Sequence, residues 1–151
     1  MIKIEIKQNI FINLPIGDVF AYISALENTT VWSSSTLSIK LLSAESVQAG
    51  ATVQVMIRFL GRWLDLTFEV IEYQPDRCLT FKSVAGIAPC LLCYQFETAE
   101  DGGTMLYQEA VIHLAEGSQA LVERVLRRQY ECDMLTLKDV LEAMAACKIV
   151  D

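Results

Sequence analysis

The first segment of the chain, residues 2–12, alternates between isoleucine and polar side chains. One face carries Ile2, Ile4, Ile6, Ile10 and Ile12, and the other carries Lys3, Glu5, Lys7 and Asn9. A period of two is typical of a half-buried β-strand. The sequence therefore predicts a strand over Ile2–Ile12 with the isoleucines facing a core.

A helical period replaces the alternation in PIGDVFAYISALENTTVWS, residues 15–33. Its apolar side chains recur at the spacing of one helix face: Ile16, Val19, Phe20, Ile23 and Leu26. Asn13 is suited to cap this helix, and Pro15 to occupy its first turn. The ENTTVW segment predicts a second short turn, so two short helices follow the first strand.

From about Leu37 to Leu114 the period is two again. Turn signals divide this stretch at Gly61-Arg62, at QPDR (74–77), between Gly86 and Pro89, and at EDGG (100–103). The sequence predicts six strands joined by short turns, which form an antiparallel meander with one buried face.

The last segment, residues 118–147, contains no glycine or proline and predicts a single helix of about 45 Å. Its predicted inner face consists of Val122, Val125, Leu126, Leu137, Val140, Met144 and Cys147. The expected fold is α+β, with one domain over residues 1–151. In this helix-grip arrangement, a curved seven-stranded antiparallel sheet wraps around the long C-terminal helix, and the two short helices close one end.

Charge and cysteine content narrow the function classes. Twelve basic against nineteen acidic residues give a net charge of −7, which disfavours a nucleic-acid partner. No apolar run is long enough to span a bilayer. Because the five cysteines are odd in number and no export signal precedes them, we expect reduced thiols and a cytoplasmic location.

Three segments resemble the SRPBCC superfamily (START-like, birch-pollen-allergen-like), within it the polyketide cyclase/dehydrase-like branch. They are residues 15–33, FLGRWLDLTFEVIEYQPDRCLTF (59–81) and LTLKDVLEA (135–143). The resemblance implies a hydrophobic ligand held between the sheet and the long helix, in a carrier or in an enzyme. That superfamily has no invariant catalytic set, so the resemblance supplies a cavity and no mechanism.

The most informative polar residues are Gln129, Asp133 and Thr136, which are spaced to share one face of the last helix. A carboxylate on a buried stripe is costly unless it is paired or wetted. In one interpretation the three residues face a cavity, where Asp133 accepts hydrogen bonds or acts as a general base. In the other interpretation, Asp133 is paired with Arg58 or bonded to a backbone amide, and Gln129 and Thr136 line a solvated edge.

Aromatic residues on the inner faces of successive strands are the candidate lining of such a cavity: Phe59, Phe68, Phe81, Tyr94 and Phe96. They serve equally well as ordinary core, and Tyr94 would add one hydroxyl for orienting a ligand. Trp32 is expected near the end closed by the short helices, chiefly as packing.

The remaining reactive residues give weaker signals. Cys90 and Cys93 have Cys-x-x-Cys spacing, but an offset of three in a strand sends their side chains to opposite faces. No second ligand pair accompanies them, so no metal or cofactor is expected. His113 and Glu109 would form an acid/base pair only if their face of the last strand, 104–114, pointed inward. The pattern leaves that orientation open, and solvent is the expectation.

The favoured function is the binding of a hydrophobic or amphipathic small molecule. A polyketide cyclase/dehydratase-like enzyme using the same cavity is the first alternative, and a protein-interaction module with a filled core is the second. A cavity above roughly 300 Å³ would favour the first two. The ligand and the oligomeric state stay open.

Overall fold

A computed structural model describes residues 2–43, 46–86, 88–115, 117 and 119–150. Seven strands form one antiparallel sheet in the order β1-β7-β6-β5-β4-β3-β2. Their bounds are β1 (Ile2–Ile12), β2 (Thr36–Leu41), β3 (Thr52–Phe59), β4 (Arg62–Gln74), β5 (Cys78–Ala85), β6 (Cys90–Thr98) and β7 (Thr104–Leu114). The predicted α+β helix-grip fold is confirmed.

The helices are α1 (Ile16–Ser24), α2 (Thr29–Trp32) and α3 (Gln119–Val150), with single 3₁₀ turns at Leu26–Asn28 and Glu100–Gly102. The chain leaves β1 at one edge of the sheet and enters β2 at the other edge. The α1–α2 segment makes this crossing. Its buried side chains join the main core, which is why an otherwise β-rich chain has two short helices here.

The predicted cap of α1 was wrong. Pro15 is itself the residue that precedes the helix, in an extended conformation (φ −60°, ψ 148°), and no side chain caps the first turn. The backbone N–H of Asn13 instead donates to Oε2 of Glu142 at 2.9 Å. A residue before proline is disfavoured from helical geometry, so the helix cannot include Leu14.

The tight turn predicted at Gly61-Arg62 lies one residue earlier, as a two-residue hairpin turn of Leu60 and Gly61 between β3 and β4, and Arg62 is the first residue of β4. Leu60 and Gly61 both have positive φ, 50° and 77°. Positive φ at both central residues is the signature of the type I′ turn, which matches the twist of the flanking strands.

The inner stripe of α3 differs from the predicted one. Leu126 and Leu137 are buried as expected, but Met144 and Cys147 are exposed. The stripe is completed by Asp133, which was predicted to lie on it, and by Met134 and Leu141, which were not. The spacing of apolar residues shows which side of a helix could face a core. It does not show how far along the helix the sheet covers that side.

The orientation of β7 is resolved by burial. Its inner face carries Leu106, Gln108, Ala110 and Ile112, all buried. Glu109 is exposed on the outer face, 3.7 Å from the Lys7 ammonium. His113 shares the parity of Glu109, so neither residue faces the interior, as expected.

Two clusters of buried apolar side chains fill the space between the sheet and α3. The larger is centred on Phe20, Leu79 and Leu137, and the smaller on Ile4 and Ile112. The polar side chain of Gln108, which is 3% exposed, is buried on the same inner face of β7.

Candidate functional site

A cavity of about 200 Å³ lies between the concave face of the sheet, α2 and α3. Most of its wall is apolar and comes from β3, β4, β5 and β6, including Val55, Leu66, Phe68 and Leu92. Its polar groups come from the junction of α2 with β2, from α3, and from Tyr94 and Gln108 on β6 and β7. The cavity therefore combines an apolar wall with several polar groups.

Six of the eight predicted site residues line this cavity: Phe59, Phe68, Phe81, Tyr94, Gln129 and Asp133. Phe96 lies two residues beyond Tyr94 on the same face of β6, where α1 fills the space. Its ring packs edge-on against Phe20 with centroids 5.1 Å apart. Phe96 is therefore core and does not line the cavity.

Thr136 also lies outside the cavity. Its side chain is exposed, and its hydroxyl donates to the backbone carbonyl of Cys132 at 3.0 Å. The spacing of Gln129, Asp133 and Thr136 spreads them over an arc of the helix. Thr136 lies at the edge of that arc that turns towards solvent.

Asp133 is buried in the middle of α3, with 8% of its surface exposed. The backbone N–H of Ser34 donates to its Oδ1 at 3.0 Å, and Gln129 Nε2 lies 3.5 Å from Ser34 Oγ. Burial raises the pKa of Asp133, and the contacts from Ser34 oppose that rise. The carboxyl group is thus bonded to a backbone amide and also lines the cavity, so features of both interpretations are present.

A chain of side-chain hydrogen bonds runs across the inner face of the sheet to the cavity. Gln8 Nε2 donates to the Tyr130 carbonyl at 2.9 Å and also to Gln108 Oε1. Gln108 Nε2 donates to Tyr94 Oη at 3.2 Å. Burial raises the pKa of both Tyr94 and Tyr130, so these phenols stay protonated at neutral pH.

Gln8, Gln108 and Tyr130 were not predicted as parts of the site. A usable signal existed for the two glutamines, because each interrupts the apolar face of an alternating strand. Gln8 and Gln108 are also direct cross-strand partners.

Trp32 lines the cavity and is 5% exposed. Its ring stands edge-on to that of Tyr94, with centroids 6.5 Å apart. Among the described residues its indole Nε1 has no hydrogen-bond partner. Trp32 therefore contributes both to packing and to the cavity wall.

Cys90 and Cys93 lie on opposite faces of β6, as their spacing predicts. Cys90 lines the cavity, and burial raises the pKa of its thiol to about 11. The Cys93 sulfur accepts a hydrogen bond from Thr80 Oγ1 at 3.3 Å. All five cysteines are free, and no group of three metal-ligating side chains occurs within the described residues.

The family model for polyketide cyclase/dehydrase and lipid transport proteins matches residues 3–142. The chain belongs to this family. The resemblance to the polyketide cyclase/dehydrase branch of the SRPBCC superfamily is thereby confirmed. No protein of curated function matches the chain significantly in sequence.

Solved structures of low sequence identity share the family fold. The protein TTHA0849 from Thermus thermophilus superposes with a TM-score of 0.79 at 17% identity, over 93% of this chain and 98% of that one. The ZhuI aromatase/cyclase from Streptomyces sp. R1128 gives 0.76 at 14%, over 93% and 94%. Ginseng major latex-like protein 151 from Panax ginseng gives 0.68 at 13%, over 95% and 98%.

The helices were also compared with the length and hydropathy that a membrane span requires. Within the ranges that the structure describes, no helix is both long and apolar enough to cross a membrane.

Proposed function

We propose that this protein binds a small hydrophobic or amphipathic molecule in the cavity between the sheet and α3. The observation that carries the proposal is the lining of the 200 Å³ space, which combines aromatic and aliphatic side chains with a few polar groups. Binding pockets for small molecules combine an apolar lining with a few convergent polar groups in this way. Membership of a family described by cyclases, dehydrases and lipid transport agrees with it.

The volume indicates the size of the ligand. It falls below the roughly 300 Å³ expected above for a small-molecule site, so the volume by itself does not favour binding over the protein-interaction alternative, and the proposal depends on the character of the lining. An apolar cavity of about 150 Å³ accommodates benzene. We therefore expect a ligand with one or two rings, or a short acyl chain.

Native mass spectrometry of freshly purified protein, repeated after organic extraction, tests the proposal. We expect an added mass that extraction removes, of a size that fits the cavity. The Val55→Phe variant places a phenyl ring in the cavity wall and should abolish this added mass. The matched control is Val31→Phe, which makes the same change at a side chain 58% exposed on α2 and should retain it.

The control for folding is the thermal unfolding midpoint of both variants. A clean apo mass, combined with failure of the protein to take up any apolar fluorescent probe, would overturn the proposal. That result would favour the protein-interaction alternative.

A second candidate function is a cyclase/dehydratase-type enzyme that uses the same cavity. The observation that favours it is Asp133, a buried carboxyl group of raised pKa on the cavity wall. A carboxylate whose pKa is raised is a stronger base than a free one, so it is suited to accept a proton from a bound ketone. Shape alone can also orient a reactive ligand, so a single base is sufficient.

The Asp133→Asn variant separates the enzyme from the carrier. Asparagine keeps an oxygen that accepts the Ser34 N–H, so binding should persist. If the protein is an enzyme, conversion of a small poly-β-ketone, followed by ultraviolet absorbance, should fall by about 10²-fold or more. Equal conversion by both proteins would exclude Asp133 as the base.

A further inference from the structure

The hydrogen-bond chain through Gln8 and Gln108 has a fixed direction. It starts at the backbone carbonyl of Tyr130, which can only accept. The Gln8 atom that contacts this carbonyl at 2.9 Å must therefore be the amide nitrogen. The Tyr130 carbonyl thus fixes which end of the Gln8 amide is nitrogen, an assignment that would otherwise be ambiguous.

The same nitrogen of Gln8 contacts the amide of Gln108. Since a donor must meet an acceptor, the Gln108 atom at this contact is its oxygen. The amide nitrogen of Gln108 then lies on the far side, 3.2 Å from Tyr94 Oη. Nitrogen donates to the phenol oxygen, so the phenol proton points in another direction.

The sheet keeps this order in place. Gln8, Gln108 and Tyr94 are neighbours in one row across β1, β7 and β6. Gln108 is 3% exposed and Tyr94 is 4% exposed. If the Gln108 amide were flipped, its N–H groups would face the N–H groups of Gln8. Both would then be buried without an acceptor, which is destabilising.

The proton of Tyr94 is left without a partner in the part of the protein that the structure describes. Tyr94 lines the cavity, and within the described residues its hydroxyl makes one hydrogen bond, with the Gln108 amide. A buried hydroxyl hydrogen needs an acceptor. Burial keeps the phenol protonated, so the donor is permanent at neutral pH.

We propose that Tyr94 is a dedicated hydrogen-bond donor in the cavity and that the ligand is a small ring compound with a neutral acceptor oxygen that it binds, of which a ring ketone is the simplest case. Gln8 is a positioning residue, because it acts on the ligand through Gln108 and Tyr94. Gln108 also lines the cavity, and its amide orients the Tyr94 hydroxyl. This inference rests on the proposed function and narrows it from hydrophobic molecules in general to neutral one- or two-ring molecules with an acceptor oxygen.

Two probes of the same skeleton test the inference. 1-Tetralone and tetralin are both bicyclic and differ by one carbonyl oxygen. We expect the parent protein to bind tetralone more tightly, as measured by isothermal titration calorimetry. The Tyr94→Phe variant should lose about five- to tenfold in tetralone affinity and stay within about twofold for tetralin.

The Gln108→Glu variant tests the positioning role at pH 8. A carboxylate at this position accepts a hydrogen bond from the Tyr94 hydroxyl, so the O–H group points away from the cavity. Tetralone affinity should then fall as in Tyr94→Phe, although the phenol is present, and it should fall by more than tetralin affinity, which reports the direct effect of the new charge on the cavity lining. A role limited to stability would weaken both probes equally. If Gln108→Glu does not fold, the Tyr94→Phe comparison decides alone.

The outcomes separate the two proposals. Equal binding of both probes by the parent protein, or unchanged tetralone affinity in Tyr94→Phe, would overturn the acceptor-oxygen inference and leave the binding function standing. Binding of neither probe by the folded parent protein would overturn this inference and would count against the proposed function as well.

Discussion

Oδ1 of Asp133 accepts a hydrogen bond from the backbone N–H of Ser34 at 3.0 Å, and this bond joins the residue after the C-cap of α2 to the middle of α3. Both elements contribute to the wall of the cavity. A carboxyl group in this position closes one end of the site and also brings a titratable group to its edge. The cost of burying it is visible in its raised pKa.

The pH dependence of stability should report this cost. Because the pKa of Asp133 is raised above its ordinary value of 3.8, the folded protein holds a proton that the unfolded chain has already released. The contribution of this group to the free energy of unfolding therefore falls as the pH rises from about 4 through the raised pKa. Urea unfolding at pH 4, 5.5 and 7 should show the decrease in the parent protein.

Asp133→Asn is the matched variant for that measurement. It cannot titrate, so its stability relative to the parent protein should rise with pH over the same window. A constant difference between the two proteins across the three pH values would contradict the assignment.

Glu142 should produce the opposite trend on the same helix. The Asn13 backbone N–H and the Lys138 ammonium lower the pKa of Glu142 below its ordinary 4.5. Its stabilising contribution is present above that value and is lost as the pH falls through the lowered pKa. Glu142→Gln should therefore be less stable than the parent protein at pH 7 and equal to it near pH 2, in the same urea experiment. A loss of the same size at both pH values would indicate packing and not charge.

The Gln8–Gln108 contact should behave as a unit. Gln8→Leu alone leaves the Gln108 oxygen buried without its donor, and we expect a loss of about 1–3 kcal/mol in the free energy of unfolding. Gln108→Leu should cost a similar amount. In the double variant both polar groups are gone, so its loss should be smaller than the sum of the two single losses by about 1 kcal/mol or more. Additive losses would argue against the chain of hydrogen bonds.

Gly86 should resist substitution because of its neighbour in the cavity wall. Its φ is +131°, and an added Cβ would lie 2.4 Å from Leu66 Cδ2. Gly50→Ala is the control, since Gly50 also has positive φ (+90°) but nothing within 4 Å of its Cβ position. We expect both variants to be destabilised by about 1–3 kcal/mol from backbone strain. Only Gly86→Ala should also change ligand affinity, because Leu66 lines the cavity.

The sequence predicts the elements of this fold well because each strand carries its own alternation. Ile2–Ile12 matches the observed β1, and four of the five connections between the later strands lie at or beside the predicted turns, whereas no turn was predicted between β2 and β3. The extent of the buried stripe on α3 was not predictable in the same way. Met144 continues the apolar period but is 43% exposed.

The site was predictable only in part, for a related reason. The apolar wall follows from strand parity, which places Phe59, Phe68 and Phe81 on one face. The polar row depends on the pairing of Gln8 with Gln108, two residues that are 100 positions apart. Strand register across such a distance cannot be derived from a local sequence pattern. The partner of a single glutamine on an apolar strand face is therefore not predictable from the sequence.

The pairing of β1 with β7 has a consequence for how the molecule is made. Ile2 lies opposite Leu114 and Ile12 opposite Thr104. During synthesis, β1 therefore leaves the ribosome long before β7 has been made. Its isoleucine face has no strand partner until the other strands have been synthesised. Closing the long loop between β1 and β7 is slow, because the chain loses conformational entropy before the contacts between the two strands form. We expect the earliest strand of the chain to be among the last to dock.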